Sequence, residues 1–150
     1  MKRYRANGKL LISGEYTVLD GSLALALPTQ RGQVLHYEEM EQEELHWRSL
    51  NVKGELWFEA HFNGKELEIV SASDVEKAKA LQSILKAAAQ LSSTVAHLQG
   101  EVTTVLEFPT DWGLGSSSTL ICCLAQCFEI DPMPLHFKVS NGSGYDVACG

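Results

Sequence analysis

The residue types best suited to chemistry lie in one stretch rich in glycine and serine, residues 109–119, with the sequence Pro-Thr-Asp-Trp-Gly-Leu-Gly-Ser-Ser-Ser-Thr. A strand-like run precedes it and a run with helical spacing follows it. Gly113 and Gly115 permit positive φ angles, which let a backbone approach a ligand closely. The N–H groups at the start of the following helix favour an anion, typically phosphate, and serine hydroxyls can bind phosphate oxygens or Mg²⁺. The stretch therefore predicts a phosphate-binding loop.

A simpler interpretation of the same loop is also open. The loop lacks the lysine of G-x-x-x-x-G-K-[ST] and the third glycine of G-x-G-x-x-G. Serine is a favoured helix N-cap, so a turn followed by a capped helix would show the same residues. The loop alone does not separate the two interpretations.

Charged residues beside glycines mark two further candidate sites. Lys9 and Glu15 interrupt an otherwise apolar segment, and such charges are rarely buried unless they are paired. The alternative is a strand with solvated ends. Asp146 follows Gly142-Ser143-Gly144-Tyr145 at a predicted helix start. There it could act as a base or an Mg²⁺ ligand, or simply be a first-turn aspartate favoured by the helix dipole.

The elements that must position these residues follow from periodicity and turn signals. Asn63-Gly64 indicates a hairpin, and Pro28 is expected to end the strand before it. Ser73-Asp74-Val75-Glu76 is typical of a capping box and begins a predicted amphipathic helix of about 25 residues that ends near Gly100. Asp131-Pro132 marks another helix start. Strands are expected at 4–13, 23–27, 33–37, 44–48, 55–62, 65–70 and 102–108.

Composition limits the classes of function. The 150 residues correspond to one domain, or one domain of something larger, with 45% hydrophobic and 21% charged residues. A net charge of −7 argues against nucleic-acid and anionic-membrane partners. Neither an apolar run of transmembrane length nor a signal-peptide core occurs in the sequence, so a cytoplasmic location is expected.

Cysteine and histidine offer little sign of a metal site. The four cysteines show no C-x-x-C or zinc spacing, and small buried thiols are expected, with a metal or redox site as the remote alternative. The five histidines share no spacing and are expected to be surface or cross-strand residues. The acidic run at 38–44 is expected to be a solvated loop.

Three stretches taken together resemble motifs of the GHMP kinases, a superfamily that includes galactokinase, homoserine kinase, mevalonate kinase and phosphomevalonate kinase. They are, in chain order, Gly8-Lys9-Leu10-Leu11-Ile12-Ser13-Gly14-Glu15-Tyr16, Pro109-x-x-x-Gly113-Leu114-Gly115-Ser116-Ser117-Ser118 and Ser143-Gly144-Tyr145-Asp146. The resemblance runs from about residue 6 to the last residue. It implies an α+β fold like the second domain of ribosomal protein S5, with helices packed on a mixed or antiparallel sheet.

The resemblance also implies roles for individual residues and two cofactors, ATP and Mg²⁺. Lys9 would neutralise charge on the transferred phosphoryl group, and Asp146 would orient or deprotonate the attacking hydroxyl. Such roles suit a reaction that depends on positioning and charge neutralisation. Ser117 would bind Mg²⁺, and Glu15, Tyr16 and Gly144 would contact the substrate. The ATP phosphates would lie against Pro109, Gly113, Leu114, Gly115, Ser116, Ser117 and Ser118.

The sequence also departs from the motifs of the family. Asn7 stands where many members have proline, and Tyr16 replaces a histidine of mevalonate kinase and galactokinase, as in phosphomevalonate kinases. Leu135 occupies the position of a Mg²⁺-binding glutamate of mevalonate kinase, and Glu129 is the nearest upstream glutamate. The chain ends four residues after Asp146, whereas family members continue into a second domain.

The sequence therefore predicts the amino-terminal, ATP-binding domain of a GHMP-type kinase over residues 1–150, without the carboxy-terminal domain. A mevalonate- or phosphomevalonate-like substrate is favoured. The alternatives are a sugar kinase of the same superfamily and a non-catalytic nucleotide-binding or interaction module. Weak turnover by this chain alone, and self-association through a face left uncovered, are expected.

Overall fold

Alternation of apolar and polar side chains builds the strands of this protein, for which a computed structural model describes residues 1–13, 23 and 25–150. In Glu44–Leu50, for example, Leu45, Trp47 and Ser49 are buried while the residues between them are more exposed. The elements, in chain order, are β1 (Lys2–Ser13), β2 (Leu25–Glu38), β3 (Glu44–Leu50), β4 (Leu56–Asn63), β5 (Glu68–Ala72), α1 (Val75–Leu91), β6 (Gly100–Leu106), α2 (Ser116–Phe128), α3 (Pro132–Val139) and α4 (Tyr145–Ala148).

The described strands form one mixed sheet in the order β1-β2-β6-β3-β4-β5. The pairing of β3 with β6 is parallel, and the other four pairings are antiparallel. The helices pack on one face of this sheet, where Trp47, Phe62, Leu124 and Phe128 are almost fully buried. The α+β fold predicted from the sequence is confirmed.

Strand β2 continues through Pro28, contrary to the prediction that the strand ends there. Proline has no N–H to donate to a ladder, so it is confined to edges and irregular positions. Here the register of β1 and β2 shifts between Asn7 and Lys9, and Lys9 is the partner of Pro28. The irregularity accommodates the proline, which explains why the strand is not interrupted.

Helix α1 has 17 residues and ends at Leu91, well before Gly100. The hydroxyl of Ser92 donates to the carbonyl of Phe128 at 2.7 Å and accepts the N–H of Val95 at 2.9 Å. Such side-chain hydrogen bonds to the backbone compete with helix continuation. The predicted length of about 25 residues is therefore wrong.

The start of α1 also differs from the predicted capping box. The N-cap is Asp74, whose carboxylate accepts the N–H of Lys77 at 3.1 Å. The hydroxyl of Ser73 instead accepts the N–H of Glu59 on β4 at 3.0 Å. Because Ser73 contacts the sheet, the cap lies one residue later than the sequence pattern indicated.

The hairpin signal at Asn63-Gly64 is correct in place, but the connection is longer than a two-residue turn. Gly64 and Leu67 both have positive φ angles, of 61° and 54°, and β5 begins only at Glu68. Leu67 is buried, so its packing in the core stabilises the longer connection. Over the part of the chain described here, none of the helices is long and apolar enough to cross a membrane.

Candidate functional site

The glycine- and serine-rich loop bends sharply where it enters α2. Gly113 and Gly115 have φ angles of 66° and 83°, in the left-handed region that favours glycine. Gly115 is the N-cap of α2, and no side chain from the described part of the chain caps this helix. Both glycines therefore adopt the positive φ angles that the sequence predicted for them.

The first turn of α2 presents several backbone donors. Its first helical hydrogen bond runs from the N–H of Thr119 to the carbonyl of Gly115 at 3.0 Å. Among the described residues, the N–H groups of Ser116, Ser117 and Ser118 have no hydrogen-bond partner. The Ser118 hydroxyl is buried and donates to the Gly115 carbonyl at 2.8 Å. The exposed hydroxyl of Ser117 remains available to a ligand.

Strand β1 passes directly against this loop. The N–H of Lys9 donates to the carbonyl of Leu114 at 2.9 Å. A Cβ atom on Gly8 would lie 3.0 Å from the same carbonyl oxygen, and one on Gly115 would lie 3.3 Å from Cε of Lys9. The absence of side chains at these two glycines therefore allows the lysine and the loop to pack together.

The Lys9 side chain then reaches α4. Its Nζ donates to the Tyr145 hydroxyl at 3.3 Å and lies 5.2 Å from the centroid of the Tyr145 ring. Gly144, the N-cap of α4, has a φ angle of 80°, and a Cβ atom there would lie 2.7 Å from Cε of Met133. Glycine at 144 thus lets α4 approach α3, which places Tyr145 beside Lys9.

Asp146 lies in the first turn of α4, where its carboxylate accepts the N–H of Val147 at 3.2 Å. Burial raises the pKa of Cys122 to about 11, and the negative charge of Asp146 adds to this effect. Burial also raises the pKa of Cys149, a shift that Asp146 increases and the positive charge of Lys9 opposes. Lys9 and Asp146 thus both lie within electrostatic reach of one thiol.

An open cleft of about 1110 Å³ lies beside the start of α2. Ser117, Ser118 and Asp146 line it, together with Lys86 of α1 and Lys138 of α3. Ser143 also lines the cleft; its hydroxyl oxygen is buried and has no hydrogen-bond partner among the described residues. The cleft therefore combines backbone donors, two cationic side chains, a carboxylate and an unpaired hydroxyl.

Two hydrogen-bonded contacts hold the loop and helix on the sheet. The hydroxyl of Thr119 donates to Oε1 of Gln33 on β2 at 2.7 Å, and both residues are buried. Just before the loop, Glu107 accepts from Arg5 at 2.7 Å and from the N–H of Gly32 at 2.8 Å. The hydrogen bond from Arg5 is the largest cause that lowers the pKa of Glu107. These contacts fix both ends of the loop.

The structure brings most of the predicted site residues together. Pro109 begins the loop and accepts the N–H of Trp112 at 3.1 Å, and Leu114 accepts from Lys9. Glu15 and Tyr16 lie outside the described residues. Glu129 caps the carboxyl end of α2, and Leu135 is fully buried. Glu129 is thus roughly 20 Å along a 13-residue helix from Ser116, too far to share a ligand with it.

Several residues of the cleft carried no sequence signal. Lys86 and Lys138 lie on helices for which the sequence predicted no site residue, and His136 is buried with Nε2 3.1 Å from the carbonyl of Gly142. Tyr145 belonged to a recognised motif, but its contact with Lys9, 136 residues away, depends on the tertiary fold. Only the packing of α1, α3 and α4 around α2 brings these side chains together.

This architecture is similar to that of solved small-molecule kinases. The chain matches a Lactococcus lactis galactokinase complexed with galactose at a TM-score of 0.70 and 14% identity, over 97% of this chain and 38% of that one. It matches a Streptococcus pneumoniae phosphomevalonate kinase, in complex with phosphomevalonate and AMPPNP, at a TM-score of 0.67 and 18% identity. This match covers 99% of this chain and 46% of that one. A Lin0012 protein from Listeria innocua matches at a TM-score of 0.64 and 23% identity, over 98% of this chain and 45% of that one.

The resemblance stated from the sequence motifs is thus confirmed as a likeness of fold. The chain spans less than half the length of each of these three proteins. No protein-family model matches the chain, and no curated protein sequence matches it.

Proposed function

We propose that this chain is the nucleotide-binding part of a GHMP-type kinase, which transfers a phosphoryl group from ATP to a small-molecule hydroxyl or phosphate. One observation carries the proposal. The backbone N–H of Lys9 donates to Leu114 of the loop and its ammonium donates to Tyr145 beside Asp146, so Lys9 links three motifs from distant parts of the sequence. A loop that merely capped a helix would not require a lysine and a carboxylate at the same position.

The residues present fit a bound nucleotide with Mg²⁺. The N–H groups of Ser116, Ser117 and Ser118 have no partner in the described part of the chain and suit phosphate oxygens at a helix N-terminus. The exposed Ser117 hydroxyl supplies an oxygen of the kind Mg²⁺ prefers. No described residue lies within 4 Å of the place where a Cβ atom of Gly113 would be.

Each site residue then has a physical task. Bound MgATP supplies the phosphoryl group, and catalysis of such a transfer is mostly positioning and charge stabilisation. The Lys9 ammonium offsets the negative charge of the phosphates. The Asp146 carboxylate orients the acceptor hydroxyl and takes its proton. In this proposal Glu15, Tyr16 and Gly144 contribute to the acceptor side of the site.

The favoured acceptor is a phosphorylated or carboxylated alcohol of the mevalonate or phosphomevalonate type. Lys86 and Lys138 line the same cleft as Asp146 and would attract an anionic acceptor. A neutral sugar would gain nothing from these two charges. A comparison of ADP formation with phosphomevalonate, mevalonate and galactose tests this preference.

The nucleotide site itself is tested by Gly115→Ala. The new Cβ atom would lie 2.5 Å from Oγ of Ser118 and 3.3 Å from Cε of Lys9, and it would strain a φ angle of 83°. MgATP affinity, measured by isothermal titration calorimetry, should fall at least about tenfold, which corresponds to about 1.4 kcal/mol.

The matched control for this experiment is Gly54→Ala. Gly54 has a φ angle of 79° but open space around its Cβ position, so the control carries the same backbone strain away from the loop. It should bind MgATP like the unmodified chain. Equal affinity in folded Gly115→Ala would remove the loop from the proposed site.

A further inference from the structure

Three side chains with metal-binding atoms, His46, Glu59 and His61, lie on the sheet face opposite the helices. His46 on β3 and His61 on β4 are direct partners in the antiparallel register. Glu59 precedes His61 by two residues and so shares its face. On the other face of the same strands, Trp47 and Phe58 pack in the core. This triad is thus separated by the sheet from the cleft that contains Asp146.

The triad is compact and open to solvent. Nε2 of His46 lies 2.7 Å from Oε1 of Glu59, and the two imidazole rings stack with their centroids 4.0 Å apart. One ligand atom from each residue lies within 4.8 Å of the other two. The side chains of His46 and Glu59 are 23% and 38% exposed, so an ion can enter from water.

The charges around the triad keep its carboxylate ionised. The hydrogen bond with His46 is the largest cause that lowers the pKa of Glu59, and the nearby charges of His46, His61 and Arg48 lower it further. In the strand register, Arg48 lies opposite Glu59, and Glu101 of β6 lies beside His46. Ser71 of β5, which is uncharged, lies opposite His61.

We propose that His46, Glu59 and His61 form a binding site for a divalent transition-metal ion, with Zn²⁺ the best-matched. Two imidazole nitrogens and one carboxylate oxygen are a ligand set that Zn²⁺ accepts, with a further position left for water. The exposed side chains converge by rotation about their own bonds, without movement of the strands. The ion replaces the hydrogen bond between His46 and Glu59 and links β3 to β4.

The sequence alone gave little indication of this site. The two histidines are 15 residues apart and a hairpin separates them, which does not match the short ligand spacings typical of zinc motifs. The expectation that these histidines are cross-strand residues is confirmed. Only the register of β3 with β4 shows that they also face one another.

The test is a titration of the chain with ZnCl₂ alone, by isothermal titration calorimetry at pH 7.5. One equivalent should bind, and His61→Gln should weaken binding by more than about 100-fold, because loss of a direct ligand exceeds the 10- to 100-fold cost of an outer-shell change. His36→Gln is the matched control, since His36 lies on β2 opposite Thr103, outside the triad. It should bind Zn²⁺ like the unmodified chain.

Two further measurements make the test specific. Binding at pH 5.5 should be weaker, because an imidazole must be deprotonated to bind a metal ion and protons compete with the ion at lower pH. The Cu²⁺-loaded chain should show electron paramagnetic resonance couplings to two imidazole nitrogens, and His61→Gln should show one. His46→Gln serves the same purpose if His61→Gln does not fold.

Unchanged zinc affinity and stoichiometry in both folded histidine variants would overturn the proposal. An ion held by the partly exposed thiol of Cys149 would give that result, because that thiol is retained in both variants. Absence of zinc binding by the unmodified chain at pH 7.5 would overturn it as well.

Discussion

Asp146 is the residue whose function separates a kinase from a module that only binds nucleotide. Its carboxylate accepts a single hydrogen bond among the described residues, from the N–H of Val147, and lines the cleft. As a helix-end aspartate it would add only ~0.3–1 kcal/mol of stability. As the group that accepts the proton of the acceptor hydroxyl it would contribute ~10²–10⁴-fold to the rate.

The variant Asp146→Asn distinguishes these two roles. Asparagine keeps the size of the side chain and an oxygen that accepts the N–H of Val147, but it removes the charge and the basicity. Turnover, measured as ADP formation by a protein that includes this chain, should fall ~10²–10⁴-fold, while the melting temperature and MgATP affinity hardly change.

The matched control is Asp131→Asn, at the N-cap of α3, where the carboxylate accepts the N–H of Met133 at 2.9 Å. Asparagine caps a helix about as well as aspartate, so turnover should remain normal. Turnover of Asp146→Asn within about threefold of the unmodified protein, below the range for a positioned acid–base group, would reduce Asp146 to a structural residue.

Some site residues could be predicted from the sequence because their function depends on local backbone. Gly113 and Gly115 have the positive φ angles that their spacing indicated, and Asp146 stands at the helix start where it was expected. Lys86 and Lys138 could not be predicted in the same way. Their place in the cleft depends on how α1 and α3 pack. A lysine in a helical sequence pattern does not indicate which residues of other elements will lie beside it.

Helix α2 is the element that connects the sheet to the candidate site. Its first turn carries the serines, while Thr119 is anchored by a buried hydrogen bond to Gln33 on β2. Both partners are less than 5% exposed, so water does not replace a lost partner. This buried pair of side chains is therefore one of the contacts that orient the start of the helix.

Thr119→Val tests this anchor. Valine keeps the shape but removes the donor, which leaves Oε1 of Gln33 buried without it. The free energy of unfolding should fall by ~1–3 kcal/mol in urea titrations. Thr103→Val, on the face of β6 away from the helices, should change it by less than about 0.5 kcal/mol. Equal effects of the two variants would show that the hydrogen bond does not stabilise the helix start.

The strand that leads into the loop depends on the ionisation of Glu107. Its pKa is lowered, mainly by the hydrogen bond from Arg5 and also by the N–H of Gly32 and nearby positive charge. A carboxylate whose pKa is lowered by folding stabilises the fold at pH values above its ordinary pKa of about 4.3. This contribution is lost as the pH falls through the lowered pKa of the folded state.

Glu107→Gln should therefore cost about 1 kcal/mol of unfolding free energy at pH 7, because the pair is a third exposed and is partly screened by water. At pH 3 the difference from the unmodified chain should shrink. Urea titrations at both pH values measure it, with the exposed Glu76→Gln as control. A difference that is the same at both pH values would contradict the ionic contribution.

Sequence patterns predicted the secondary-structure elements better than they predicted the residues that line the cleft. Most strands and the starts of α2 and α3 were predicted within a few residues, because alternation and caps are local, but the strands expected at 23–27 and 33–37 are one strand, β2. The end of α1 was not, because Ser92 bonds to Phe128, which is 36 residues away. Pro28 was misjudged for a similar reason, since only the pairing of β1 with β2 shows the irregularity that accommodates it.

At the scale of the whole molecule, one end of the sheet is apolar and exposed among residues 1–13, 23 and 25–150. We define the apolar arm as residues 10–12 of β1 and 25–27 of β2, where Leu10, Ile12, Leu25 and Leu27 are each about half exposed (51–54%). Leu10 and Leu27 are register partners, so their side chains lie on one face. Exposed apolar patches of this kind mark interaction surfaces, so the arm is the place to test the self-association that the sequence led us to expect.

The double variant Leu10→Ser, Leu27→Ser should reduce self-association, measured by sedimentation velocity over a range of concentrations. Serine removes the apolar area that association would bury, at about 25 cal/mol per Å². Phe137→Ser is the control, because Phe137 is similarly exposed but lies on α3, outside the arm. A monomer at all concentrations before substitution would show that the arm does not mediate contact between copies.

Strand β6, at the centre of the sheet, has a consequence for how the polypeptide acquires its structure during synthesis. β1 pairs with β2, β3 with β4, and β4 with β5, all through connections close in sequence, whereas β6 joins β2 to β3 only after 100 residues have been made. Until then β2 and β3 each present an unpaired edge to the surroundings. Because such long-range closure is slow, the newly made chain should aggregate most readily just before β6 emerges from the ribosome.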